Sequence, residues 1–211
     1  SPAIMTEDYI KNGHNLNDRR MLALYVNNVG PMVDWATTYA GMKLNTKAGF
    51  TNEAEHSKPR VMRWIDGAQG ATRYFKAAVA KSGTKLLLGT PAKELIVKDG
   101  KVVGVKAQGS DGTFYTINAP AVILTTGGFG ANKGMLSGNL KNALYYGVKS
   151  SNGEGHQMAM KIGAKTQMMD LGKIYPNGME VAPGIAKSTI WSNKAAFEDN
   201  AGIMVNKAGK R

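Results

Sequence analysis

The 211-residue sequence contains no cysteine and only three histidines. The absence of thiols excludes disulfides, thiolate nucleophiles and thiolate-held zinc or iron–sulfur centres within these residues. His14, His56 and His156 are far apart in the sequence, whereas histidine metal sites commonly draw on closely spaced ligands. We therefore predict no metal site and no catalytic residue of the cysteine type.

Long apolar runs are also missing. No stretch approaches the ~20 apolar residues that a membrane helix needs, so we predict no membrane span. The first residues lack the charged and apolar regions of a secretory signal peptide. The hydrophobic fraction of 43% is that of an ordinary soluble globular protein. The compartment stays unknown, although missing cysteine and abundant lysine are compatible with an exported protein.

Arginine is scarce in a strongly basic chain. The formal net charge is +12, but 21 of the 27 basic residues are lysine and only 6 are arginine. Residues 67–211 hold the excess, with 19 basic against 8 acidic residues. Base readout in nucleic acids depends largely on bidentate arginine, and here the basic positions are scattered singly. We interpret them as a solvated lysine-rich surface and predict no nucleic-acid partner.

The first part of the chain has a helical pattern. A short helix is predicted over residues 2–16, and a long amphipathic helix runs from a cap at Asn17 or Asp18 to about Ala40. Pro31 within it predicts a kink or a break into two helices. Trp35, at helical spacing from apolar neighbours, is interpreted as a core residue.

An α/β pattern follows an irregular segment at 43–66. A helix is predicted from Gly67 to Ala80, and a short strand at 85–89. Three further strands are predicted over 92–98, 101–108 and 113–118. They are joined by two Asp-Gly turns of the type that favours hairpins, so together they form a β-meander.

The stretch Ala121–Asn132 is the most informative in the sequence. It begins as a β-branched apolar run, interpreted as a buried strand, and then breaks into Thr125-Thr126-Gly127-Gly128. Two glycines let a ligand approach backbone N–H groups, but a strand that ends in two glycines is equally compatible with a simple tight turn. From the residues alone both interpretations remain open.

A second glycine motif, Gly153-Glu154-Gly155, opens a helix predicted to end near Ile162. Its carboxylate has two interpretations. It could favour the positive end of the helix, or it could meet a ligand hydroxyl there.

These motifs, in this order, give the chain a resemblance to the flavoprotein subunits of the fumarate reductase and succinate dehydrogenase family, with the flavocytochrome c type nearest. Val205-Asn206 with Gly209 and Arg211 is similar to that family's Val-Asn-x-x-Gly-x-Arg stretch. The resemblance implies a mixed α/β fold: a partial Rossmann-like FAD-binding domain over 1–171, containing the β-meander, and the start of a capping domain over 172–211.

The resemblance also implies what the chain lacks. The family's opening strand, Gly-x-Gly-x-x-Gly turn and ribose carboxylate have no match here, and its catalytic arginine corresponds to a position beyond Arg211. We therefore expect an internal piece of a longer protein. This piece by itself is expected to be inactive and not to retain FAD.

Residue by residue, the resemblance assigns FAD contacts to Ala92, to Thr125, Thr126, Gly127 and Gly128, and to Glu154, which replaces the family's usual aspartate. By spacing, Tyr175 stands where the family has a substrate-binding histidine, and Pro176 follows it as in the family. The family's Thr-Glu substrate pair has no clear match in Ile190–Ala196.

The implied function is FAD-dependent reduction of an α,β-unsaturated carboxylate, fumarate or a related acrylate, by hydride transfer from flavin N5, with electrons from a donor domain or protein. Two alternatives stay open. One is a non-catalytic binding or scaffold module whose glycine turns are structural, and the other is a dehydrogenase or oxidase of the same family.

Overall fold

A computed structural model describes residues 1–53, 55–175, 178–189, 202–203 and 205–211. Contacts divide the chain into two compact units, Ser1–Leu87 and Leu88–Arg211. The predicted boundary at residue 171 concerns a different division, between an FAD-binding and a capping domain, and it stays a prediction.

In its described residues the first unit holds three α-helices, α1 at Pro2–Asn12, α2 at Arg19–Thr38 and α3 at Gly67–Lys81, and a 3₁₀ helix at Thr46–Ala48. Asp18 caps α2 as predicted, because its carboxylate accepts the backbone N–H groups of Arg20 and Met21 at 2.8 and 3.0 Å. Of the kink or break predicted at Pro31, the break is wrong, since α2 continues through the proline, and the kink stays a prediction. The same face of the helix is buried on both sides of the proline, and this packing offsets the cost of ~3 kcal/mol for an interior proline.

The core of the first unit lies at the end of α2. Ala36, Ala40 and Met42 are buried, and side chains of α3 pack around them. Trp35, predicted in the core, is instead 50% exposed and stacks on Tyr39 with ring centroids 5.2 Å apart. The physical reason is helical phase: Trp35 lies about 100° around the helix from Ala36, so it falls beside the buried stripe.

A buried carboxylate helps to attach the irregular segment 43–66 to α1, and the Asn12 side-chain amide of α1 also donates to the Glu55 carbonyl at 2.9 Å. Asp8 accepts the backbone N–H of Ser57 at 3.0 Å and its hydroxyl at 3.1 Å, and forms an ion pair with Arg60. Isolated β-bridges at Leu44–Trp64 and Thr51–Val61 close the segment on itself.

The β-meander of the second unit is confirmed. Strands β1 (Ala92–Lys98), β2 (Lys101–Gln108) and β3 (Phe114–Asn118) pair antiparallel in the order β1-β2-β3. The first turn uses Asp99 and Gly100 with φ of 49° and 72°, the positive angles that a type I′ hairpin requires. In the second turn, the Gly109 N–H donates to the Thr113 carbonyl at 2.8 Å.

Two other predicted strands are wrong. Residues 85–89 and 121–124 are not in strands, and Leu88 and Ile123 are 78% and 86% exposed. Both runs have the composition of strands buried inside a parallel sheet, and such strands form only against neighbouring strands. No strand in the described part of the chain pairs with either run.

The second unit continues with α4 (Glu154–Lys161), which contacts β1, and with the hairpin of β4 (Gly178–Ala182) and β5 (Ile185–Ser188). Of the strand predicted at 202–206, the four described residues are not in a strand, and residue 204 lies outside the described residues. The mixed α/β class is confirmed. No helix in the described ranges is long and apolar enough to cross a membrane.

Candidate functional site: a glycine turn against the start of a helix

The Thr125–Gly128 turn presents bare backbone. Gly127 has φ of 74°, a left-handed conformation that explains the need for glycine. Gly128 differs: a Cβ built on it would meet no atom within 4 Å. The side of Gly128 on which a side chain would stand is therefore open space, and a ligand can approach the main chain there.

Three hydrogen bonds join this turn and the residues after it to the segment that begins α4. The Gly153 N–H donates to the Gly128 carbonyl at 3.1 Å, and the Ala131 N–H donates to the Ser151 carbonyl at 2.9 Å. The Asn132 side-chain amide donates to the Asn152 carbonyl at 3.0 Å. The two glycine motifs, about 25 residues apart in the sequence, thus form one structure.

The glycines of the second motif make this close contact possible. A Cβ on Gly155 would collide with the side chain of Thr126, 2.9 Å from its Cβ. Gly153 has φ of 81°, and a Cβ there would lie 2.9 Å from the Cβ of Phe129. Larger residues at either position would separate the turn from the helix.

Glu154 is the first residue of α4, follows the N-cap Gly153, and is exposed. The first-turn N–H groups of a helix have no partners inside it and carry partial positive charge, so they favour an anion. The carboxylate in this position is compatible with both interpretations of Glu154, a charge that stabilises the helix and a contact to a ligand hydroxyl.

Ala92 and Tyr175 lie in other elements. Ala92 is the first residue of β1, pairs with Ala107 and is half-buried. Tyr175 is 42% exposed, with the ammonium of Lys173 4.9 Å from its ring centroid. The geometry brings Thr125–Gly128 and Glu154 together, whereas the roles of all these residues in binding stay predictions. Pro176 and Ile190–Ala196 lie outside the described residues.

Sequence reasoning missed a cavity of about 560 Å³ beside the glycine turn. Phe129 and Tyr175 line it together with Tyr145, Tyr146 and Lys173. A signal existed in the leucines at 136, 140 and 144 and in the Tyr-Tyr-Gly sequence at 145–147, but these residues lie in irregular or 3₁₀ structure. No cluster of metal-ligating side chains occurs in the part of the chain that the structure describes.

Bare backbone N–H groups and a helix dipole both favour anions, so a glycine turn bonded to the start of a helix is compatible with a phosphate-bearing ligand. Fold and site together define a mixed α/β protein in which a glycine turn is bonded to the start of a helix. The chain belongs to the FAD binding domain family, whose model matches residues 1–211.

Several curated relatives match along the whole chain. The fumarate reductase (cytochrome) of Shewanella frigidimarina is 29% identical over 218 residues, which cover 100% of this chain and 36% of the relative. The NADH:fumarate oxidoreductase of Klebsiella pneumoniae is 25% identical over 219 residues, which cover 100% of this chain and 22% of the relative. The chain therefore spans only about a quarter to a third of the length of these relatives.

Among solved structures, the open conformation of a flavocytochrome c3 fumarate reductase superimposes with a TM-score of 0.71 and 25% identity. The match covers 78% of this chain and 30% of that one. The similarity to the fumarate reductase flavoproteins, expected from the glycine motifs, is confirmed.

Proposed function

We propose that this chain is the FAD-binding part of a reductase that acts on an α,β-unsaturated carboxylate. One observation carries the proposal: the Thr125–Gly128 turn, open at Gly128, is hydrogen-bonded to the start of α4, where Glu154 stands. The family membership supports FAD as the cofactor. The names of both relatives support fumarate or a similar acid as the substrate and reduction as the direction.

The residues fit such a cofactor. Gly128 leaves room for a close approach to the main chain, and Glu154 offers a carboxylate to a sugar or ribityl hydroxyl. In this proposal Ala92 and Thr125–Gly128 present backbone to FAD, and the cofactor supplies the hydride that reduces the alkene. The chain's own residues bind and orient, while the proton donor and the electron donor belong to a longer protein. In that protein, residues 1–171 would form part of a Rossmann-like domain and 172–211 the start of a capping domain.

Glu154 provides the first test, in the complete protein that contains this chain. If the carboxylate binds FAD, Glu154→Gln should weaken FAD affinity by about tenfold, roughly the value of one charge-assisted hydrogen bond. Glu154→Asp, which restores the residue usual in the family, should retain binding. Flavin fluorescence during titration measures both affinities.

The two interpretations of Glu154 separate in this experiment. A carboxylate that only favours the positive end of α4 would make Glu154→Gln lower stability by ~0.3–1 kcal/mol and leave FAD affinity unchanged. That outcome would remove Glu154 from the proposed site.

Tyr175 provides the second test. We propose that it contacts the substrate, because its spacing from Gly153–Gly155 matches the family's substrate-binding histidine. A phenol presents a broad ring and a neutral hydroxyl, so it suits a bulky acid better than a compact dicarboxylate. Tyr175→His should therefore raise the ratio of kcat/KM for fumarate to kcat/KM for a bulkier acrylate. An unchanged ratio with altered thermal stability would mean that Tyr175 only fills space between two domains.

A further inference from the structure

Helix α2 carries a second, outward-facing stripe beside the one that it buries. Leu22, Val26 and Ala36 form the buried stripe. The second stripe lies about 100° further around the helix, and we call it the outer stripe. Its six residues are separated alternately by four and three positions: Met21, Tyr25, Asn28, Met32, Trp35 and Tyr39, the last directly after the helix.

The outer stripe is left open by the rest of the first unit. Its five apolar side chains are 46–63% exposed, and Asn28 is exposed as well. Tyr9 of α1 touches the stripe at Tyr25, and Phe75 of α3 touches it at Trp35, with ring centroids 5.5 and 6.4 Å apart. Both contacts lie at its border and do not cover it.

The spacing of the outer stripe is that of a helix-packing seam. Apolar residues that alternate at four and three positions stay on one line along a helix, and a second helix packs against that line. Methionine, tyrosine and tryptophan are also the side chains enriched in protein interfaces, from whose centres charged residues are depleted. Residues 21–33 of α2 contain no charge. The stripe therefore has the pattern of a surface that receives a helix.

The charges at the two ends of α2 match those of a second copy in one orientation. Arg19 and Arg20 begin the helix, and Asp34 stands near its end. A parallel copy would place the arginines and the positive helix ends of two chains side by side. An antiparallel copy brings the arginines of each chain towards the Asp34 end of the other, where the helix dipole is negative.

An antiparallel pair has a register in which every layer of the seam is filled. A two-fold axis beside Gly30 sets Tyr25 against Trp35 of the copy and Asn28 against Met32, and it also sets Met21 against Tyr39. Asn28 is the one polar member of the stripe, and its amide already donates to the Leu24 carbonyl at 2.7 Å. This bond lowers the cost of burying the amide, and a single asparagine in a seam is typical of a residue that fixes register.

The area of the outer stripe sets the strength of such a pair. A side chain of this size that is about half exposed offers ~100 Å², so the six residues bury ~600 Å² per chain and ~1,200 Å² in total. This area is at the lower limit for a specific interface. We therefore expect a weak, reversible dimer.

We propose that the outer stripe is a dimer interface, in which α2 of one chain packs antiparallel against α2 of a second copy about a two-fold axis beside Gly30. The interface belongs to the first unit, and neither FAD nor the proposed reductase activity enters into it.

Sedimentation equilibrium of this chain across the micromolar range tests self-association. The mass should rise from 22.5 kDa towards twice that value. The net charge of +12 opposes association, so the dimer should be stronger at 0.15 M salt, where the Debye length is ~8 Å, than at low salt. Met32→Glu should weaken dimerisation at least about tenfold, because it places an unpaired charge in the seam. Ala23→Glu, which adds the same charge at an exposed position of α2 outside the outer stripe, is the matched control and should leave it unchanged.

Disulfide cross-linking tests the orientation, and the absence of natural cysteine leaves only the introduced thiols to react. A mixture of Asn28→Cys and Met32→Cys chains should form an interchain disulfide under mild oxidation, because the two positions face each other in this register. Met21→Cys alone should not cross-link, since its two copies lie about 27 Å apart along the helix axes, beyond the ~4.4–6.8 Å between Cα atoms that a disulfide allows.

Three outcomes would overturn the inference. They are a single 22.5-kDa species at all concentrations from chain that circular dichroism reports as folded, equal weakening by Met32→Glu and Ala23→Glu, and efficient cross-linking of Met21→Cys alone, which would mean a parallel pair. In the complete protein, failure of the Asn28→Cys and Met32→Cys chains to cross-link would mean that another part of the longer polypeptide occupies the outer stripe, which also overturns it.

Discussion

Gly127→Ala and Gly128→Ala should differ in their effects: the first should lower stability, and the second should weaken cofactor binding. Gly127 has φ of 74°, where an alanine is strained by ~1–2 kcal/mol, and the new Cβ would lie 3.3 Å from the Ser151 hydroxyl. Alanine also reduces the conformational freedom of the unfolded chain, which stabilises the folded state by ~0.4–1 kcal/mol. We therefore expect Gly127→Ala to lower the free energy of unfolding by about 1 kcal/mol.

Gly128→Ala should keep that free energy or raise it by up to ~1 kcal/mol, because its Cβ enters open space and the unfolded chain again loses freedom. The new methyl group would instead stand where the proposed cofactor approaches the main chain. In the complete protein, Gly128→Ala should therefore weaken FAD binding by at least about tenfold while the fold is kept.

The assay is urea denaturation of the chain followed by far-ultraviolet circular dichroism, together with flavin titration of the complete protein. Gly127→Asn is the matched control, because asparagine tolerates a left-handed conformation and should recover part of the stability lost in Gly127→Ala. Equal losses of stability in Gly127→Ala and Gly128→Ala would refute the description of this turn. Unchanged FAD affinity in Gly128→Ala would refute the proposed approach of the cofactor.

Two further predictions concern the first unit. Asp8→Asn should lower the free energy of unfolding by ~2 kcal/mol, because it leaves the charge of the largely buried Arg60 uncompensated. Glu53→Gln, which breaks an exposed ion pair, should change it by less than ~0.5 kcal/mol in the same denaturation assay. Similar losses in the two variants would contradict this account. The hydrogen bond to Tyr25, with burial, raises the pKa of Tyr9 to about 12, so its stabilising contribution is complete below pH 10.0 and is lost as the pH rises towards 12. Tyr25→Phe should return the pKa of Tyr9 towards 10.0 in an ultraviolet titration of tyrosinate, and an unchanged titration would exclude this cause.

What the sequence predicted correctly depends on local interactions. The Asp99-Gly100 turn and the cap at Asp18 are determined by residues within a few positions of each other, and both were confirmed. The apolar stripe of α2 was also recovered, because helical period is a local property.

The features that the sequence did not predict depend on contacts between residues distant in the sequence. The run around Ile123 has the composition of a strand, but strand formation requires a neighbour that no described residue supplies. The hydrogen bond from Gly153 to Gly128 and the contact of Leu140 with Gly172 join separate loops. Each glycine was visible in the sequence, whereas the side chain that packs on it was not.

The β-meander has a consequence for the order of folding. Its strands are consecutive and joined by tight turns, so its contacts close short loops, which is typical of rapidly forming structure. The hydrogen bond between Gly128 and Gly153 closes a loop of about 25 residues, and closing this longer loop costs more conformational entropy than closing a hairpin turn. We expect amide protons of β2 to gain protection from exchange in a refolding pulse before that of Gly153. The β-meander would then form first, and the surface proposed to receive the cofactor would form later.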